Sequence, residues 1–150
     1  MDEFIEMVLS EARKALKKDE VPIGAVIVKD GKVIAKGHNR REKSQNALRH
    51  AEIEVINKAC KKLKSWRLDG CDIIVTLEPC PMCAGAIVNA RIRKVYYCCR
   101  QTTSDDDLFR QILESSRLNH KTQIEFIENK ECQRLLTDFF KSKRKHLSSV

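Results

Sequence analysis

Apolar positions recur every three to four residues over the first stretch of the chain, at Phe4, Ile5, Val8, Leu9, Ala12 and Leu16. That spacing predicts an amphipathic helix with one face toward a core. Pro22 closes it. The pattern then changes: Ile23 to Val28 and Lys32 to Ala35 read as two strands around Asp30-Gly31. This dipeptide suits a two-residue hairpin turn, whose central positions need positive φ. Gly37-His38-Asn39-Arg40 opens a polar loop that reaches about Leu48, and His38 reads as an ordinary residue of it. From near Arg49 the helical period returns. Val55, Ile56, Ala59 and Leu63 face one way, and Lys58, Lys61, Lys62 and Lys64 mostly the other.

Gly70 precedes a short apolar strand, Asp72 to Leu77. Pro79 and Pro81 then bracket Cys80, and Pro81 suits the first position of a helix running to about Ala90, because its missing N–H costs nothing there. Ile92 to Cys98 and Thr122 to Ile127 predict a fourth and a fifth strand. Between them, Thr103-Ser104 followed by Asp105, Asp106 and Asp107 reads as an N-cap and acidic first turn, continued as a helix by Leu108, Ile112 and Leu113. A last helix carries Cys132, Leu135, Leu136 and Phe139 on one stripe. It ends in Lys141, Lys143, Arg144 and Lys145, cations that suit a helix C-terminus. This order predicts a layered α/β domain with its later strands joined by helical crossovers. With 150 residues, no repeat and no linker, the chain 1–150 is expected to form one domain.

Composition narrows the class. No run approaches the roughly 18 consecutive apolar residues of a membrane span, and no apolar segment follows the acidic start Met1-Asp2-Glu3. No membrane association is expected, and a cytoplasmic location is. Lys plus Arg is 29 against 21 for Asp plus Glu, a net charge of +8. That surplus favours a polyanionic partner such as nucleic acid, solubility being the plainer reading. Seven cysteines in a cytosolic chain read as metal ligands or small buried residues before they read as disulfides.

His50, Cys80 and Cys83 stand out as metal ligands. Two thiolates at Cys-x-x-Cys spacing reach one ion from a tight turn, and zinc prefers such N and S donors. The turn enters a helix, whose N-terminal dipole favours thiolate over thiol. Three protein ligands leave a fourth tetrahedral position open, as catalytic zinc requires. Glu52 is then placed to take a proton from water acidified by the metal, provided that the first turn of its helix aims both His50 and Glu52 at the ion. The alternative is a closed structural site, with Cys60, Cys71, Cys98, Cys99 or Cys132 as fourth ligand. A structural zinc has no need of the carboxylate.

His50-Ala51-Glu52 with Pro79-Cys80-Pro81-Met82-Cys83 matches the zinc nucleobase deaminase signature. More narrowly, the chain resembles the bacterial tRNA-specific adenosine deaminases of the cytidine deaminase superfamily. The likeness runs through Glu20-Val21-Pro22-Ile23-Gly24-Ala25-Val26, Gly37-His38-Asn39-Arg40, Thr76 to Ala86 and Leu136-Thr137-Asp138-Phe139-Phe140. The resemblance implies a three-layer cytidine-deaminase-like α/β fold, a five-stranded mixed sheet between helices. It implies one zinc ion per chain and a homodimer whose subunits build the RNA site together. It also implies hydrolytic conversion of adenosine to inosine at the wobble position of a tRNA anticodon stem-loop, the target base being splayed from its loop. Substrate contacts are implied at Asn39 and Ala51, although Asn39 by itself, without the resemblance, reads first as a turn former after a strand. Of the two aromatics in the last helix, Phe139 lies on the apolar stripe. Phe140 is the candidate to stack on RNA.

One segment departs from the resemblance. After the fourth strand the family usually carries Asp-x-Lys and a run rich in Gly and Ala. This chain has Cys98-Cys99-Arg100-Gln101-Thr102-Thr103-Ser104-Asp105-Asp106-Asp107, with Gln101 where the Asp is expected. The zinc chemistry is untouched by this change. The substrate is what it bears on, and a sister deaminase acting on guanine, cytosine, a free nucleoside or DNA is the competing expectation. A zinc-stabilised RNA-binding subunit without activity is a third, opposed by Glu52.

Overall fold

Strands β1 (Gly24–Lys29), β2 (Lys32–His38), β3 (Cys71–Val75), β4 (Lys94–Tyr97) and β5 (Gln123–Phe126) form one sheet in the order β2-β1-β3-β4-β5 in the computed structural model, which describes residues 1–101 and 108–148. The helices among these residues are α1 (Asp2–Lys17), α2 (Arg41–Ser44), α3 (Ala51–Leu63), α4 (Pro81–Asn89), α5 (Leu108–Leu113) and α6 (Lys130–Ser148). β1 pairs antiparallel with β2 and β3, and β3, β4 and β5 run parallel. Parallel neighbours need crossovers, supplied by α4 and by the segment containing α5. The sheet is therefore mixed, as expected. The cap expected at Thr103-Ser104 and the acidic turn after it lie outside the described residues.

Alternation along the strands sorts the side chains into two cores. Ala25, Ile27, Ile73, Val75, Val95 and Tyr97 point to one face, where Val55 and Ala59 of α3, Ile87 of α4 and Phe109 and Leu113 of α5 cover them. Val26, Val28 and Ile74 point to the other, against Val8 of α1. α6 lies beside α1 through Cys132 and Leu136, packed with Ile5 and Leu9. The outcome is three layers, helices on both faces of a sheet.

The pattern in the sequence predicted these elements closely, with corrections at their ends. β2 continues past Ala35 to His38, and β4 is shorter than the apolar run Ile92 to Cys98. β3 begins at Cys71 and stops at Val75, so Leu77 lies beyond it. Leu16, counted on the buried stripe of α1, is exposed, because Ala15 takes the last buried position of that helix. The loop after Asn39 contains the short helix α2, and His38 ends β2 with its Nδ1 donating to Glu11 Oε1 at 3.1 Å. Asp30 and Gly31 have φ of 51° and 76°, the two-residue turn their identities predict.

Gly24 is the point where α1 presses on the sheet. A Cβ added there would lie 2.2 Å from the Val8 carbonyl oxygen and 2.8 Å from the Ala12 nitrogen, both backbone atoms that no rotamer change can move. Gly24 also exchanges two hydrogen bonds with Thr76: its N–H donates to Oγ1 at 3.1 Å, and its carbonyl accepts from the Thr76 N–H at 3.1 Å. Helix, hairpin and the exit of β3 are thus fastened at one residue. Gly24→Ala is expected to lower the free energy of unfolding by about 3 kcal/mol, the upper end for overpacking, read from chemical denaturation.

Candidate active site

His50 is the N-cap of α3 and Cys80 the N-cap of α4, both with extended backbone. Pro81 occupies the first turn of α4, as its identity predicts. The His50 side chain makes no cap bond to α3, while the Cys80 sulfur accepts from the thiol and the backbone N–H of Cys83 in the first turn of α4. They turn toward each other. His50 Nδ1 lies 3.6 Å from Cys80 Sγ and 3.6 Å from Cys83 Sγ, and the three donor atoms lie within 4.8 Å of one another. Among the described residues this is the one group of three or more such side chains able to hold a metal ion, and no fourth cysteine joins it. The donor set, one imidazole and two thiols around a common point, fits zinc and leaves a position open. The closed-site alternative is not what the chain builds.

Electrostatics favour a cation at that point. Two helix N-termini aim their partial positive charge at the sulfur atoms, which stabilises thiolate. Hydrogen bonds from Cys83 and then His50 outweigh burial and pull the Cys80 thiol down to about 4. Cys83 is pushed up because it donates to Cys80 and is itself buried. The pair so shares one proton until a cation takes its place.

Glu52 is only 4% exposed. Burial pushes its carboxyl up to about 7, and the neighbouring Cys80 thiolate adds to the rise. A carboxyl with that affinity exchanges protons in both directions near neutrality. It bonds to Cys83 and feels His50 and Cys80, so it lies against the donor cluster. His50 and Glu52 do not overlie on the helix, but as cap and first-turn residues they both look out of the end of α3.

Asn39 follows β2 and is buried, its N–H donating to the Ile23 carbonyl at 3.1 Å. Its Oδ1 accepts the Ala51 N–H at 2.8 Å, satisfying an orphan donor of the first turn of α3 from twelve residues away. A backbone N–H demands an acceptor, which settles the amide orientation and leaves Nδ2 as a donor with no protein acceptor among the described residues. Ala51 itself is fully buried, its N–H used by Asn39. Phe139 and Phe140 meet edge to face at 5.4 Å, the first buried and the second 45% exposed. Phe140 forms the wall between two clefts, about 790 Å³ on the side of Arg41, Lys43 and Lys143 and about 300 Å³ on the side of Arg100, Gln101 and Arg144.

Three residues that hold this site had no assigned role from the sequence. The Glu20 carboxylate, 1% exposed, accepts the N–H groups of Glu42 at 2.9 Å and Lys43 at 2.8 Å and so builds α2. Glu54 pairs with Arg49 through two hydrogen bonds, one of 3.0 Å to Nη2, and steadies the residue before His50. Glu78 accepts the N–H of Gln101, and its own N–H donates to the Cys99 carbonyl at 2.9 Å. Glu20 and Glu78 lie within the stretches of family likeness. Their partners lie more than twenty residues away, which no local pattern reports.

Residues 1–144 match the family model of the MafB19-like deaminases. The chain belongs to that family. This deaminase is 42% identical over 144 residues to the tRNA-specific adenosine deaminase of Bacillus subtilis (strain 168), spanning 95% of this chain and 89% of that one. A structure solved in a study of A-to-I editing by tRNA:A34 deaminases at the wobble position superposes with a TM-score of 0.84. It is 40% identical and covers 91% of this chain and 100% of its own. A guanine deaminase from Bacillus subtilis, also 40% identical, matches less far: TM-score 0.63, over 66% of this chain and 64% of its own.

The Asn39 bond to α3 has a measurable consequence. Asn39→Ala orphans the Ala51 N–H as loss of an N-cap does, and is expected to cost about 1 kcal/mol of stability, read from the denaturation midpoint.

Proposed function

We propose that this protein converts adenosine to inosine at the wobble position of a tRNA anticodon, with zinc held by His50, Cys80 and Cys83 and with Glu52 as the proton carrier. One observation carries the reading. A buried carboxyl with affinity near neutrality lies against an N,S,S donor set at two helix ends, in a chain similar along nearly its whole length to a tRNA-specific adenosine deaminase. The whole chain 1–150 acts as one catalytic unit.

Zinc bound at this donor set supplies acidification of water toward neutrality, and so a nucleophile for the ring carbon that bears the amine. The chain's own groups do the rest. Glu52 accepts the proton that the water gives up and passes it to N1 of the purine; it then takes the second proton, from the hydroxyl now on the ring carbon, and gives it to the amine as the carbon–nitrogen bond breaks, so that water and adenosine become inosine and ammonia. Its burial keeps bulk water from competing for that proton. Asn39 offers Nδ2 to the base, while its Oδ1 is spent on the helix. Phe140 offers an exposed ring for a neighbouring base, with Lys43 on one side and Arg100 and Arg144 on the other as phosphate partners, Lys143 and Arg41 of the larger cleft being paired with Asp19 and Glu42.

A homodimer fits the surface of α4. Cys83, Ala84, Ile87 and Val88 are buried, while exposed Pro81 and half-buried Met82, Gly85 and Ala86 make an apolar opposite side, where a Cβ on Gly85 would meet open space. No helix of the described residues is long and apolar enough to cross a membrane. A cytoplasmic location suits thiolates that must stay reduced and a tRNA substrate.

A second reading, a sister deaminase acting on another base, nucleoside or DNA, draws on Gln101 and the run through Asp107. Inosine formation in an anticodon stem-loop with adenosine at the wobble position separates the two. Wild type is expected to form it, and Glu52→Ala to lose about a hundred- to ten-thousand-fold in kcat. Turnover of free guanine or cytosine with none of the stem-loop would move the assignment to the sister reaction. Elemental analysis is expected to find one zinc per chain in wild type and in Glu52→Ala, and little in Cys83→Ala, which removes a ligand.

A further inference from the structure

The N-terminal ends of α3 and α4 carry the proposed chemistry. Their C-terminal ends carry a feature that this chemistry leaves unused. Trp66 lies just beyond α3, and Arg91 just beyond Ala90, the C-cap of α4. Trp66 is the only tryptophan of the chain and, at 62%, the most exposed large hydrophobic side chain among the described residues. The guanidinium groups of Arg67 and Arg91 lie over its ring, 5.4 and 5.5 Å from the centroid. Arg67 bonds to Asp69 at 3.0 Å, but both are at least half exposed, so the pair exchanges readily for another anion. Arg91 donates to the Val88 and Asn89 carbonyls and meets no carboxylate among the described residues.

Cations gather at helix C-termini because the dipole favours them, which accounts for Lys61 and Lys62 in the last turn of α3. It does not account for an indole left in water with two guanidinium groups over it. An exposed indole leaves a large apolar area in water, area that a bound partner would cover. An aromatic face flanked by arginines is suited to the sugar-phosphate backbone: the ring stacks on a base or ribose, and the guanidinium forks take phosphate oxygens. The net charge of +8 gives the same preference to the molecule as a whole. The thirteen residues of α3 set this surface about 20 Å from the donor cluster, beyond the nucleotides adjoining a base held there.

We infer that Trp66, Arg67 and Arg91 form a second RNA-contact surface, which takes the backbone of the tRNA away from the loop whose base enters the catalytic site. It depends on the tRNA reaction proposed above. Trp66 reports on it directly, since no other indole contributes to the emission. The zinc-loaded full chain is titrated with full-length tRNA carrying adenosine at the wobble position, and with a short single-stranded oligonucleotide of the loop alone. Full-length tRNA quenches Trp66 saturably, with a midpoint that rises with salt, and the loop oligonucleotide leaves the emission unchanged. Arg67→Gln combined with Arg91→Gln weakens tRNA binding about tenfold and lowers the slope of log affinity against log salt by about two, kcat at saturating tRNA being unchanged. Trp66→Ala weakens binding by about fivefold or more, and Trp66→Phe restores most of it by keeping a stacking face. Emission indifferent to tRNA, or a double glutamine variant with wild-type affinity and salt slope, overturns the inference. So does emission that follows protein concentration instead of tRNA, which would assign the indole to a subunit contact. Quenching is read at binding, so missing inosine alongside a tRNA-dependent signal would count against the wobble reaction and not against this surface.

Discussion

α3 and α4 begin at the same place, and each begins with a metal-competent side chain as its N-cap. Two helix dipoles thereby add at one point, where two sulfur atoms and a ring nitrogen face one another across less than 5 Å. Without a cation this arrangement is a concentration of positive partial charge and shared protons. With one, the N-termini support the thiolates and the thiolates hold the ion. The meeting of the two helices is fixed by the strands before them. β2 and β3 both run antiparallel to β1, so the connections leaving them deliver α3 and α4 to the same end of the sheet.

Buried polar groups convert that placement into a rigid mouth. Asn39 ties the end of β2 to the first turn of α3, Glu20 gathers two N–H groups of α2, and Arg49 pairs with Glu54 just ahead of His50. Each group would be costly to bury alone, and each is satisfied by a partner on a different segment. The loop between Asn39 and His50 is closed at its base by the Arg40 N–H donating to the Arg49 carbonyl at 2.9 Å. The loop lines the large cleft with Arg41 and Lys43.

Basic groups occupy both ends of the α3 and α4 pair, and the two ends differ in kind. Near the donor cluster, Arg41, Lys43 and Lys143 border a cleft with an exposed phenylalanine. At the far end an exposed tryptophan meets two arginines over its ring. Aromatic faces among cations recur where a flexible polyanion must be held along its length, because stacking tolerates any base and charge tolerates any sequence.

The hydrophobic pattern of this chain determined its elements, and the spacing of His50, Glu52, Cys80 and Cys83 pointed to their chemistry, because both signals are local. A period of two or of three to four residues is a property of neighbouring positions, and so is a proline placed to start a helix. Tertiary structure decided what depends on distant partners. It made α2 out of an expected loop by supplying the Glu20 carboxylate from outside it, and it drew His38 to Glu11. It exposed Leu16 by giving Ala15 the position against the core. The separation of Phe139 from Phe140 into a buried ring and an exposed one, by contrast, was already legible in the helical period that put Phe139 alone on the apolar stripe. Above all the tertiary structure raised Glu52 toward neutrality, since desolvation belongs to the folded surroundings of a carboxyl and not to its place in the sequence.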